Sequence, residues 1–165
     1  MEKRFRFFSL IFSYPSEKIL EELESLSREI PEYSKIVEML KTHTLEELQT
    51  EYTRLFITDH PTLTCPPYES YYREGSVYGN ASVEVREIYE SHGLEYNFEG
   101  EPPDHISVEL EFIALTGDRE FLNRMKEWVF YFADKVKESS EIYGLSAEEL
   151  KRLIEDTLSF CEHSE

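Results

Sequence analysis

The stretch EPPDHISVELEFIAL, at residues 101–115, decides how this chain folds. Its two prolines exclude a helix before Asp104 and favour an extended entry, because proline lacks a backbone N–H and restricts the residue before it. We expect Asp104 to be the N-cap of the following helix and to accept hydrogen bonds from its free amides. His105 then lies in the first turn, with Glu109 one turn later on the same face. The stretch therefore predicts two acids and an imidazole at one helix end.

Two further motifs and a helix precede this stretch in a fixed order. They are YTRLF at residues 52–56, PPYES at residues 66–70 and a helix that Gly93 closes. Taken with EPPDH at 101–105 and ELEF at 109–112, the ordered set resembles the TorD/DmsD/NarJ family. Members of that family are cytoplasmic all-helical chaperones that mature molybdenum-containing redox enzymes.

The resemblance implies both a fold and a location for the site. It implies one all-helical domain that spans residues 1–165. It also implies that the long connections at 57–79 and 94–103 lie together, because they flank the motifs of the family's binding region. We therefore expect the loop that ends at Tyr68 and Glu69 to pack near the start of the Asp104 helix.

Helical periodicity along the chain supports the same fold class without reference to any family. Apolar residues recur with a spacing of three or four in almost every segment, and no strand alternation is found. We therefore expect an all-α protein of roughly eight to ten helices with no sheet. The first helix carries the aromatic residues of 5–12, which indicates a core helix rather than a signal peptide. The predicted N-caps are Thr44 and Ser146, each with a glutamate three residues later, together with Asn80 and Asp118.

Length, charge and cysteine content restrict the possible functions. A chain of 165 residues suits one domain, and 40% hydrophobic residues suffice for a core. The net charge of −18 repels nucleic acid and anionic lipid and attracts basic partners, although it can also serve solubility alone. Two cysteines, Cys65 and Cys161, do not form a disulfide framework, which favours a reducing cytoplasm. No apolar run is long enough to span a membrane, so we expect no membrane insertion.

Catalytic and metal-binding chemistry finds little support in the sequence. His60 and Cys65 share a loop without the further ligands that a zinc site needs, and Cys161 and His163 lie near the chain end. Glycine-rich phosphate-binding loops are absent from the sequence. We therefore expect no metal, no cofactor and no enzymatic activity. The alternative from another class is a small hydrolase or nucleotide-binding enzyme that uses Asp104 with its neighbouring histidine.

A peptide-binding site uses the same residues better. A twin-arginine leader carries two adjacent guanidinium groups followed by an apolar stretch. Carboxylates accept the planar fork of arginine, and tyrosine rings can stack on a guanidinium or cover apolar residues. The predicted peptide-binding residues are Tyr68, Glu69, Tyr71, Tyr72, Asp104, His105 and Glu109.

Each of these residues also has a purely structural alternative. Glu69 can be a helix-start acid and Asp104 a cap. The tyrosines can be core residues, and His105 can bond a neighbouring carbonyl. The sequence leaves these alternatives open.

The expected function follows from the resemblance. The protein would be a cytoplasmic chaperone, monomeric or homodimeric, that binds an apo-molybdoenzyme catalytic subunit or its basic N-terminal leader peptide. It would hold this client until the cofactor is inserted and so delay export. An alternative within the same class is an assembly factor for a reductase subunit that is not exported and carries no twin arginines.

Overall fold

The computed structural model describes residues 2–58, 62–96 and 100–163, with side chains described as far as residue 160. Within those ranges the chain forms nine α-helices and one short 3-10 helix, and one isolated antiparallel bridge is its only extended pairing. The prediction of an all-α fold with eight to ten helices is confirmed. None of the helices in these ranges has both the length and the apolarity needed to cross a membrane.

The helices follow one another with mostly short connections. They are α1 (Glu2–Ile11), α2 (Glu17–Glu29), α3 (Ser34–Lys41), α4 (Leu45–Phe56), α5 (Glu69–Glu74), α6 (Asn80–Ser91), α7 (Ile106–Thr116), α8 (Arg119–Ser139) and α9 (Glu141–His163). The 3-10 helix, at Pro31–Tyr33, lies between α2 and α3.

Helix α1 is a central element of the core. Six of its ten residues are buried, which is expected of a helix enclosed on several faces. It packs extensively against α7, and the Ser9 hydroxyl donates a hydrogen bond to the Ser107 carbonyl at 2.7 Å. The long helices α8 and α9 pack along each other, and α5 lies against both α6 and α8. Helix α7 packs against both α1 and α8.

The YTRLF motif on α4 contributes to the core. The Tyr52 and Phe56 rings lie 4.8 Å apart, and the Tyr52 hydroxyl donates to the carbonyl of Phe12 at 2.8 Å. Phe56 also contacts the ring of Phe132 on α8 at a centroid distance of 5.9 Å. This motif therefore positions α1, α4 and α8 relative to one another.

Two of the four N-caps predicted besides Asp104 are confirmed. Thr44 forms a capping box with Glu47, and the Asp118 side chain accepts from the N–H of Phe121 at 2.9 Å. Both bonds join residues three apart, so they depend only on the local sequence.

The other two predicted caps are wrong because neighbouring groups take over their role. Ser146 lies inside α9, which begins earlier, with the Ser140 hydroxyl accepting from the N–H of Tyr143 at 3.1 Å. Burial of Tyr143 in the core favours this earlier start. Asn80 is the first helical residue of α6 rather than its cap. The side chain of Glu74, the last residue of α5, accepts from the N–H of Ala81 in the first turn of α6 at 2.7 Å.

Candidate functional site

The two loops that precede α5 and α7 join at Tyr68 and His105. These residues form the antiparallel bridge. The N–H of Glu69 donates to the carbonyl of Asp104 at 3.1 Å, and the N–H of Ile106 donates to the carbonyl of Pro67 at 2.8 Å. The expectation that the loop ending at Tyr68 and Glu69 packs near the start of the Asp104 helix is confirmed.

Asp104 caps a helix, but not the predicted one. Its side chain is buried, and Oδ2 accepts from the N–H of Ser70 in the first turn of α5 at 2.8 Å. Helix α7 begins at Ile106, so its N-cap is His105, whose Nδ1 accepts from the N–H of Ser107 at 3.1 Å. The prediction that Asp104 caps its own helix is therefore wrong, because the bridge directs Asp104 to α5.

His105 is a neutral, buried residue of this junction. Its side chain is only 2% exposed, and burial lowers its pKa to about 3. The ring of Tyr68 meets it edge to face at 5.3 Å, and Nε2 lies 3.8 Å from the carboxylate of Glu101. A neutral imidazole at physiological pH does not form an ion pair with Glu101, so His105 acts here through packing and capping.

Glu69 is neutralised by arginines of the same chain. Its fully buried carboxylate lies 2.7 Å from Arg73 Nε and 2.6 Å from Arg124 Nη2. Each arginine also contacts an acid nearer the surface, Glu127 for Arg73 and Glu84 for Arg124, at 2.8 and 2.9 Å respectively. A guanidinium from a peptide cannot reach Glu69 in this arrangement.

Glu109 is a buried carboxyl group in which one oxygen has a hydrogen-bond partner and the other has none among the described residues. Its Oε1 accepts from Trp128 Nε1 at 3.2 Å, whereas Oε2 has no hydrogen-bond partner among the described residues. Burial raises the pKa of Glu109 well above its usual value, and the charges of Glu69 and Asp104 contribute smaller effects in the same direction. A proton on Glu109 relieves the repulsion among these three carboxyl groups.

The tyrosines and Glu101 form the accessible part of the junction. Tyr68, Tyr71 and Tyr72 are all half-buried, and the ring of Tyr72 lies 5.5 Å from that of Trp128. The Tyr68 hydroxyl donates to Glu101 Oε2 at 3.4 Å, and the Glu101 side chain remains 44% exposed. Glu101 is therefore the acid of the EPPDH motif that a peptide can reach.

The structure brings all seven predicted site residues into one region but separates them by depth. The acids Glu69, Asp104 and Glu109 are buried together with His105, while the three tyrosines are partly accessible. Sequence reasoning missed four residues of the junction, namely Arg73, Glu101, Arg124 and Trp128. Arg73 was recognisable in principle, because it follows Glu69 by one helical turn.

Metal binding finds no geometric support in the part of the chain that the structure describes. No three side chains of His, Cys, Asp or Glu within it are arranged to hold an ion. His60 and the side chains of Cys161 and His163 lie outside the described residues.

Comparisons with known proteins place this geometry in context. Residues 21–161 match the profile of a family described as the nitrate reductase delta subunit. The chain is 46% identical to an Archaeoglobus fulgidus protein whose crystal structure is described as that of a proposed redox enzyme maturation protein. The alignment covers 94% of each chain with a TM-score of 0.87. No curated protein sequence gives a significant match.

Proposed function

Because this chain belongs to the nitrate reductase delta subunit family, whose members are redox-enzyme maturation chaperones, we propose that it binds the basic leader peptide of an apo-molybdoenzyme catalytic subunit. The family acts in enzyme maturation rather than in catalysis. The client would be the apo-molybdoenzyme subunit, the bound segment its leader, and the binding residues those around Tyr68 and Glu101.

The observation that carries this proposal is the Tyr68–Glu101 pair, a half-buried ring bonded to an exposed carboxylate, above a buried cluster. A guanidinium can stack on the Tyr68 ring while its N–H groups bond the Glu101 carboxylate. Tyr71 and Tyr72 follow about one turn later on α5, with their rings 5.5 Å apart, and offer further aromatic surface. The accessible groups thus match the chemistry of a peptide that carries arginine next to apolar residues.

In this proposal the buried residues position the binding surface rather than contact the peptide. Asp104 holds the first turn of α5, and His105 holds the first turn of α7. Glu69 connects α5 to α8 through Arg124. Together they fix the loop that presents Tyr68, so the surface needs little reordering when a peptide binds.

The charge of the whole protein favours encounter with such a peptide. A net charge of −18 produces a negative potential that steers cations toward the surface. Reversible capture would keep the client's leader covered until the molybdenum cofactor is inserted, and release would then permit export.

A calorimetric titration tests the proposal. The probe is a synthetic leader with two adjacent arginines before an apolar stretch of roughly ten residues, compared with a version in which glutamine replaces both arginines. We expect the glutamine version to bind about tenfold more weakly or worse. Equal binding of the two peptides would instead support an assembly factor that recognises an N-terminal segment without twin arginines.

Variants of the chain locate the contact. Glu101→Gln should weaken binding of the arginine peptide several-fold and leave the glutamine peptide unaffected. Glu38→Gln is the matched control, because Glu38 is an exposed acid on α3 with no ion pair among the described residues. If Glu101→Gln and Glu38→Gln have the same effect, Glu101 is not the acceptor.

A further inference from the structure

A surface groove with a volume of about 380 Å³ lies between α7 and the described residues at 94–96 and 100–101. Leu94, Val108 and Phe112 contribute apolar surface to its lining. Leu115 also lines the groove and is 63% exposed, although it is a large aliphatic residue. The groove therefore leaves apolar surface uncovered on the same helix that carries the buried cluster.

The charged residues that line this groove are all acidic. They are Glu95, Glu101 and Glu111, and no lysine, arginine or histidine is among its described lining residues. Each of the other four described surface cavities has at least one basic residue in its lining. Glu111 lies 3.6 Å from Arg6, whereas Glu95 has no ion pair among the described residues. The groove thus combines apolar walls with three acids, of which Glu111 is partly compensated by Arg6.

We propose that this groove binds the apolar stretch that follows the two arginines of the leader, an inference that rests on the proposed function. Its apolar walls bury the hydrophobic side chains, and its acids attract the neighbouring guanidinium groups. A second copy of this chain fits the groove less well, because its own net charge of −18 would meet the three acids.

Glu101 joins the groove to the Tyr68–His105 junction. Its carboxylate accepts from Tyr68 on one side, and the same residue lines the groove on the other. Arginines held at Glu101 therefore place the next residues of the leader at the entrance of the groove. Leu115, one helical turn beyond Glu111, marks the end of α7 toward which the apolar stretch runs.

The experiment pairs a groove variant with a matched control. Leu115→Asn removes an exposed apolar side chain from the groove, and Ile57→Asn removes another, 53% exposed, from the end of α4. Each protein is titrated by calorimetry with two synthetic leaders. Both leaders carry two arginines, and they differ only in whether the following stretch is apolar or composed of serine and glycine.

We expect Leu115→Asn to weaken binding of the apolar leader about fivefold or more and to leave the serine–glycine leader unchanged. Ile57→Asn should change neither affinity. Glu95→Gln should weaken both leaders equally, since its charge acts on the arginines that they share. Thermal melting confirms that each variant remains folded.

The outcomes separate this inference from the proposed function. If the wild-type chain binds neither leader, the proposed function fails. If it binds the apolar leader and Leu115→Asn behaves like Ile57→Asn, the groove inference is overturned while the function stands.

Sedimentation is measured in parallel. Loss of self-association in Leu115→Asn with unchanged leader affinity would assign the groove to a second copy of the chain and overturn the inference.

Discussion

The carboxylate of Asp104 accepts a hydrogen bond from the backbone N–H of Ser70 at 2.8 Å, so a residue that precedes α7 caps α5. The two residues are 34 positions apart in the chain. The bond lies beside the main-chain bridge between Tyr68 and His105. Any change at Asp104 therefore acts on the loop that presents the proposed binding surface.

Asp104→Ala should lower the free energy of unfolding by about 1–3 kcal/mol, because it leaves the Ser70 amide buried without an acceptor. Asp104→Asn is the matched control, since its amide oxygen can still accept that bond. Urea denaturation measures both variants. Equal losses in the two variants would show that the charge of Asp104, rather than its acceptor oxygen, stabilises the junction.

His105→Asn should flatten the loss of stability in acid. The pKa of His105 is about 3 in the folded chain against a usual value of 6.5, so below pH 6.5 the unfolded chain binds a proton that the folded chain does not. The wild type should therefore lose up to about 1.4 kcal/mol per pH unit between pH 6.5 and 3 through this residue. Asparagine retains an acceptor for the Ser107 amide but does not titrate. Parallel stability profiles of the two proteins from pH 7 to 5 would contradict the prediction.

Glu109→Gln should act with the opposite sign. Burial raises the pKa of Glu109 above the usual 4.5, so as the pH rises past that value the unfolded chain releases a proton that folded Glu109 keeps. The destabilisation caused by Glu109 therefore grows as the pH rises above 4.5, and it stops growing once the pH passes the folded-state pKa. Glutamine still accepts from Trp128 and cannot ionise, so the variant should be more stable at pH 7, with an advantage that shrinks toward pH 4.5. Glu111→Gln, half-exposed on the same helix, is the control.

Arg124→Gln should destabilise the fold by about 2–4 kcal/mol, because it leaves the buried Glu69 carboxylate with Arg73 as its only cation among the described residues. Arg152→Gln is the control, since that exposed arginine pairs with Glu149 and should contribute less than about 1 kcal/mol. Chemical denaturation at neutral pH compares them. A loss in Arg124→Gln no larger than in the control would mean that Arg73 alone compensates Glu69.

Binding of a basic leader should weaken as salt rises. Exposed charges are screened beyond about 8 Å at physiological ionic strength. Calorimetry at low and high sodium chloride measures the effect, with the glutamine-substituted leader as control. An affinity that does not change with salt would mean that the net charge of −18 serves solubility alone.

The sequence by itself determined the features that depend on neighbouring residues. Helical periodicity predicted the all-α fold, and the Thr44–Glu47 capping box needed only residues three apart. The ordered motifs also indicated the family. Asn80 and Ser146 are exceptions, and at Ser146 an equally good local signal lost to the burial of Tyr143 in the core.

Only the tertiary structure decided what the site residues contact and how deep they lie. Glu69 and Arg124 are 55 positions apart, and their pairing exists because α5 packs against α8. The same packing buries Glu109 and leaves Glu101 exposed, although both are glutamates of one continuous stretch. Sequence pattern could name Glu69 and Glu109 but not their partners. A hydrogen bond or an ion pair between distant residues is set by how whole helices pack, and no local periodicity encodes that arrangement.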